Sequence, residues 1–429
     1  MRFLLLFGAL IFHAAGVPAQ TAGDWRARLA DAIRTATSHN PEIARMDAEI
    51  RAADERVRQA GALPDPEVSF GVMNLPVSSF SFTEDDMTMK TLGVSQELPP
   101  AGSRRAAEAA ARAGADSIAR EHMHHVDEVA ARTAQAFFDL AALDTKLSIA
   151  RETRALLDDD ARAAEERYRV GRGAQADVIR ASLQKTRLVG EIAAMEGDRR
   201  AAQASFNTLL ARPADVEEPA IALSDADESI PDSPAFLRRA LSESPLLQHY
   251  DAEIRRAEEE AKRAHDERRP MWTLSATYGQ RERRDDMVSA MAELSLPFLH
   301  PSRLAARVAE ADAMVSAAKA ERSDAEYRLR GSVEAALSRL ASDTRQERLY
   351  RETILPQAEM NERASREAYA VGSIDFGTLT AASTDLRRFR SEYADRLSAI
   401  GRDRAELQMA SGLPLLPGTP GMEHDHEPK

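Results

Sequence analysis

The chain has no cysteine in 429 residues. Disulfides, thiolate metal sites, a cysteine nucleophile and a lipidated cysteine anchor are all excluded. Aromatic residues make up only 5%. A chain of this length with ordinary composition reads as two or three globular domains. With so few aromatics and so much Ala, Glu and Arg, extended packed helices are the better expectation. The basic excess that a nucleic-acid partner requires is also missing, since the net charge is −13. No run reaches the eighteen apolar residues of a membrane-spanning helix, so any passage through a bilayer needs a β-barrel. There is no Gly-x-Ser-x-Gly, no phosphate loop and no His-Glu-x-x-His. An enzyme is not expected, and no cofactor is called for.

What the chain does have is a long internal repeat. Tyr168-Arg-Val-Gly171 returns 201 positions later as Tyr369-Ala-Val-Gly372. Asn40-Pro41 returns as Ser244-Pro245, Leu98-Pro99 as Leu296-Pro297, and Leu210-Ala-Arg-Pro213 as Ser411-Gly-Leu-Pro414. These landmarks keep their order, which marks a duplicated unit. The expected division is 1–19 signal peptide, 20–213 first repeat, 214–234 acidic linker, 235–414 second repeat and 415–429 a disordered His/acidic tail. Arg2 and the apolar run from Phe3 to Ala15, before Val17-Pro-Ala19, have the form of a cleaved secretory signal.

Within each repeat the period changes. Helix is expected from about Asp24 to Ala60, broken by Ala62-Leu-Pro-Asp-Pro66. Val68, Phe70 and Val72 then alternate with Glu67, Ser69 and Gly71, and Phe80 and Phe82 alternate with serines. Leu92, Val94 and Leu98 alternate with Thr91, Gly93, Ser95 and Glu97. The second repeat has Trp272, Leu274, Ala276 and Tyr278 against Thr273, Ser275, Thr277 and Gly279, followed by a strand from Val288 to Leu296. Four strands of this length and pattern suit a barrel wall or a half-buried soluble sheet. In a membrane four strands cannot close alone, so a cyclic oligomer follows from the membrane reading. From Ser103 to Val170 there is no proline. Ala109, Ala113, Ile118, Val126, Val129, Phe137, Leu140 and Leu147 form an apolar seam there. Gln175 to about Ala211 is the return helix, and the Tyr-x-x-Gly motifs are the hairpin tips, with glycine at φ > 0 closing each helix.

The ordered set of strand pairs, long helices and two Tyr-x-x-Gly tips resembles the TolC-like outer-membrane factor family. The resemblance implies a mainly α fold with a small β part. Three chains share a twelve-stranded β-barrel continued by a periplasmic α-barrel. It implies a homotrimer in outer-membrane lipid and periplasm of a Gram-negative bacterium, working with a periplasmic adaptor and an inner-membrane RND pump. Leu63-Pro-Asp-Pro66, Met73-Asn-Leu-Pro76, Met87-Thr-Met-Lys90 and Gly93-Val-Ser-Gln96 resemble the branch that serves heavy-metal cation efflux. On that resemblance Tyr168, Val170, Gly171, Arg172, Tyr369, Val371, Gly372 and Ser373 are the adaptor-docking tips. Asp177 matches an acidic position that holds the pore closed. Its counterpart is Thr378, so Asp375 and Asp385 are further gate candidates. His122, His125, His424 and His426 are the only metal-ligand candidates, and solvated or packed histidines are the preferred reading. A same-fold alternative is a duct for drugs or type I secreted polypeptides. A periplasmic adaptor or coiled-coil scaffold is the alternative of another class.

Overall fold

The computed structural model describes residues 25–223 and 229–418. The 1–19 segment, His424 and His426 lie outside the described residues. Chain order is α1 (Trp25–His39), α2 (Pro41–Gly61), β1 (Glu67–Met73), β2 (Met89–Leu98), α3 (Ser103–Arg169) and α4 (Gln175–Leu209). The same series then recurs as α5 (Ser233–Glu243), α6 (Pro245–Asp266), β3 (Met271–Gln280), β4 (Met287–Ser295), α7 (Pro301–Leu349), α8 (Leu355–Val371) and α9 (Phe376–Ser411). The punctuation is local chemistry. The Asn40 side chain accepts from the Glu42 amide at 2.9 Å, and Pro41 opens α2. Proline has no N–H to lose at that position. Pro245 likewise opens α6, although the Ser244 side chain makes no capping bond there. Proline follows the ends of β2 and β4, where the ladder stops.

α3 has 67 residues, which is about 100 Å of helix. Of its expected seam, Ala113, Val129, Phe137, Leu140 and Leu147 are buried, whereas Ala109, Ile118 and Val126 are partly covered. Nearer the sheet the buried positions are Ala106, Ala110, Ala113 and Ser117, at spacings of four, three and four. Small side chains there let α6 lie close, where Ser117 meets His249 at 3.0 Å. Halfway down, the core thickens. Trp25, Leu29 and Ile33 of α1 meet Phe137, Phe138 and Leu140 of α3 and Phe206 of α4. In the second half Leu329, Val333 and Leu340 of α7 meet Ile400 and Leu407 of α9. Between α7 and α8, residues Tyr350–Ile354 form a π-turn. Pro356 explains it: with no N–H it cannot bond the carbonyl four residues earlier, and the helix loosens there without ending.

The four strands form one antiparallel sheet in the order β1-β2-β3-β4. Its register puts Val68 beside Val94, Val94 beside Ala276 and Ala276 beside Ala290. One face is therefore apolar, and Phe70, Trp272, Leu274, Tyr278 and Val288 are exposed on it. The other face aligns Ser69, Gly93, Thr277 and Ser289. That face is crowded. A Cβ at Gly93 would stand 2.5 Å from Ser69 Oγ and 3.2 Å from Thr277 Oγ1, and one at Gly279 would collide with Met89 Sδ. Along β3 the polar-face residues are half-buried or buried and the apolar-face residues exposed, as in a sheet curled toward its polar side. Phe80 and Phe82 are not in a strand. Asn74 turns left-handed at φ 54, Pro76 cannot pair, and the Phe80 amide closes a turn onto the Pro76 carbonyl at 2.8 Å.

The segment between the repeats is pinned where it is described. The Ile221 amide donates to Asp144 at 2.9 Å, and Arg28 binds Glu218 at 2.8 Å. At the other end, 415–418 are structured, although the expected tail began at 415. The Leu415 and Leu416 amides each donate to Gln408 Oε1 at 3.0 Å, and Leu416 is buried.

One buried carboxyl gives the fold a pH dependence. Asp403 on α9 is buried, with Arg339 3.6 Å away. Burial, and secondarily the Asp343 carboxylate, push its pKa up to about 7. Unfolded, it titrates near about 4. The folded protein therefore holds this proton more tightly, and stability falls as pH rises between those values, by at most about 1.4 kcal/mol per pH unit. Melting temperatures followed by circular dichroism should fall from pH 5 to pH 7.5, and Asp403→Asn should flatten that slope. Equal slopes in the two proteins would contradict the assignment.

Candidate functional site

The two hairpin tips are the places where sequence and backbone agree most closely. In α3 the Arg172 amide donates to the Arg167 carbonyl at 2.8 Å and the Gly171 amide to the Tyr168 carbonyl at 2.9 Å. In α8 the Ser373 amide donates to Ala368 at 2.9 Å and the Gly372 amide to Tyr369 at 3.0 Å. This paired closure needs a left-handed residue after the cap. Gly171 has φ 71 and Gly372 has φ 83. Tyr-x-x-Gly is thus the sequence of a helix stop, made twice. Val170 and Val371 project from the stops and are exposed, and Arg172 is exposed beside them. Ser373 Oγ adds a bond to the Ala368 carbonyl at 2.9 Å.

The two tyrosines are not equivalent. Tyr369 is 5% exposed and Tyr168 47%. Tyr369 lies among Ala164, Ala181, Phe376 and Leu379, edge-on to Phe376 at 5.6 Å. Burial raises its pKa. Arg167 caps it, with the guanidinium 4.6 Å from the ring centre and Nη1 donating to the Tyr369 carbonyl. Arg167 also occupies the space over Gly372, where a Cβ would come within 3.0 Å of Nη2. Sequence reasoning missed Arg167, although it directly precedes the motif in the first copy. In the second copy that position is Ala368.

Above the tips, ion pairs join the hairpins. Arg366 binds Asp160 at 2.5 Å, Arg387 binds Glu191 at 2.7 Å, and Arg390 binds Glu152 at 3.3 Å. The Asp160 side chain is the most buried of these, and burial raises its pKa despite Arg366. No spacing rule in the sequence pairs residues about 200 apart, so these partners were not foreseen.

The gate candidates lie apart in their bonding. Asp177 stands in the first turn of α4, where its charge suits the helix dipole, with Arg180 3.9 Å away. It is not the cap, since Ala174 holds that position. Asp375 is the cap of α9 and accepts from the Thr378 amide and hydroxyl, each at 2.7 Å. Those bonds hold its carboxyl below the usual range. Thr378, the counterpart of Asp177, is thereby tied to Asp375. Asp385 pairs with Arg388 one turn on, at 3.0 Å.

His122 and His125 of α3 face α2. His122 Nε2 is 3.2 Å from Asp47, and His125 is 3.2 Å from Glu42 and 3.1 Å from Glu128. Arg132 shares Glu42 at 2.8 Å. Apart from the His125–Glu128 pair within α3, these are helix-to-helix polar contacts. Among the described residues no three or more His, Cys, Asp or Glu side chains form a metal-holding group, and no helix is long and apolar enough to cross a membrane.

Comparison with known proteins gives the same architecture. The outer membrane protein VceC of Vibrio cholerae superposes with a TM-score of 0.75 at 18% identity, over 90% of this chain and 96% of that one. CusC superposes with a TM-score of 0.75 at 16% identity, over 90% and 92%. The CmeC outer membrane channel of Campylobacter jejuni gives 0.75 at 13%, over 91% and 88%. Among curated proteins nothing matches. The outer membrane efflux protein family matches residues 32–212 and 236–413. Two matched blocks that take in both hairpins and most of the chain settle the assignment: this chain belongs to the outer membrane efflux protein family, a family of passive channels and not of enzymes.

Proposed function

We propose that three copies of this chain form an exit duct through the outer membrane, fed by an inner-membrane RND pump through a periplasmic adaptor, and that the cargo is heavy-metal cations. The observation that carries the duct is the sheet. It has four strands and an apolar face carrying Phe70, Trp272, Leu274, Tyr278 and Val288. Among the described residues the outer edges of β1 and β4 have no strand beside them. In lipid every backbone group needs a partner, so edges must be closed by other strands. Three copies with cyclic symmetry bring β4 of one beside β1 of the next and close a twelve-stranded wall. The polar concave face then lines the lumen.

The tips take the adaptor. Val170, Val371, Arg172 and Ser373 surround two tight stops that leave backbone accessible. Tyr168 is exposed where a second copy would pack its own hairpin, as Tyr369 is packed within one chain. Asp177, Asp375 and Asp385 supply the acidic constriction. Metal cargo is supported by the sequence motifs around the strands and by the concave face itself. Its only charged strand residues are Glu67, Glu97 and Glu293, whereas the one cation of the strands, Lys90, lies on the other face. Deleting the gene should raise sensitivity to copper, silver, zinc, cobalt or cadmium more than to detergents or antibiotics. Inhibitory concentrations measured without a redundant duct decide the matter, and unchanged metal tolerance removes the cargo assignment.

A further inference from the structure

Methionine is distributed over the sheet in a way that apolar filling does not explain. The strands contain five: Met73, Met89, Met271, Met287 and Met291. All five lie on the polar, concave face, as the register shows. Every other residue of that face within the strands is Ser, Thr, Gly or Glu. The convex face uses Val, Leu, Phe, Ala, Trp and Tyr, with Lys90, Gln96 and Gln280 besides, and no methionine. If the concave face merely needed bulk, Leu or Val would serve as well. The side chain chosen each time is the one with a polarisable sulfur.

Three of these residues meet at the end of the sheet remote from the helices. Met73 and Met89 are direct cross-strand partners, a geometry that brings their Cβ atoms within about 5.5 Å. Met89 is buried and extends over β3, where its Sδ lies on Gly279. Gly279 is in turn the cross-strand partner of Met287. A Cβ at 279 would occupy the place of the sulfur, so the glycine leaves room for it. Of the cations near this end of the sheet, Arg281 is engaged with the carbonyls of Asp86 and Asp285, and Lys90 with Glu282.

We propose that the thioethers of Met73, Met89 and Met287 form a binding site for a soft monovalent cation, Cu(I) or Ag(I), at the outer mouth of the duct. Neutral thioethers favour such ions over Zn(II) or Co(II), which prefer imidazole, carboxylate or thiolate. Neutral ligands also bind weakly enough for release, which an exit site requires. The proposal rests on the reading of the concave face as the lumen of a metal-exporting duct.

Silver(I) is the practical probe, because it needs no reductant. The purified, detergent-solubilised full chain in nitrate buffer should bind Ag(I) in equilibrium dialysis. The Met73→Leu/Met89→Leu/Met287→Leu variant, matched in volume, should bind roughly tenfold more weakly. Met314→Leu, on the exposed side of α7, should bind as the unaltered chain does. Equal binding by the triple variant overturns the site. If that variant fails to assemble, silver-edge X-ray absorption on the unaltered protein decides: sulfur neighbours support the site, and oxygen and nitrogen alone overturn it. Methionine-dependent binding with unchanged metal tolerance in the deletion strain removes the cargo reading and keeps the site. Metal sensitivity on deletion, with unaltered binding in the triple variant, does the reverse.

Discussion

Replacing Gly171 and Gly372 together by leucine is expected to leave the protein in the outer membrane and abolish resistance. Both glycines sit at positive φ. A side chain there costs about 1–2 kcal/mol of backbone strain at each position. The tips lie about 100 Å of helix from the strands, so the sheet is insulated from that strain. The two sites also separate strain from docking. At Gly171 an added Cβ meets nothing within 4 Å, and only strain and the outer surface are affected. At Gly372 it meets Arg167 and disturbs the contact that covers Tyr369. Gly171→Asn keeps the left-handed turn at lower cost and should preserve more resistance than Gly171→Leu. Adaptor crosslinking should fall in step with resistance. Normal resistance and crosslinking in the double variant would mean that the tips are not the docking surface. Loss of the assembly itself would make both glycines folding residues.

The second large effect is expected on the sheet. Leu274→Arg should block assembly, because a mid-membrane charge on the lipid side costs roughly 2–4 kcal/mol. Ser275→Arg should be tolerated better. The two residues are neighbours on one strand but face opposite ways. Leu274 is exposed on the apolar side, and Ser275 stands between Ser95 and Met291 on the concave side. Quantifying heat-resistant oligomer in outer-membrane fractions compares them directly. Equal tolerance would contradict a lipid-facing convex surface.

Much of this architecture was legible because its signals are local. The change from a period of 3.6 to one of 2 at Glu67 and Met271 marked the strands. Asn40-Pro41, Ser244-Pro245 and the two Tyr-x-x-Gly stops marked helix ends, since their chemistry depends on neighbours in sequence. Phe80 and Phe82 misled for the same reason. Alternation with serine imitates a strand, but Asn74 and Pro76 prevent the chain from continuing the ladder. The site was legible only as a motif. That Tyr369 is buried while Tyr168 is exposed follows from which hairpin packs on which, and from Arg167, which the second copy lacks. The ion pairs of Arg366, Arg387 and Arg390 join residues far apart in sequence. The methionines of the concave face become a group only once the register is known.

The central claim is that the four strands of one chain are a third of a membrane barrel. The most direct measurement is the mass and location of the native assembly. The expected species is a trimer, extracted from the outer membrane by detergent, that conducts ions in a planar bilayer. A monomer recovered from the periplasm without detergent, or a membrane species of another copy number, would contradict it.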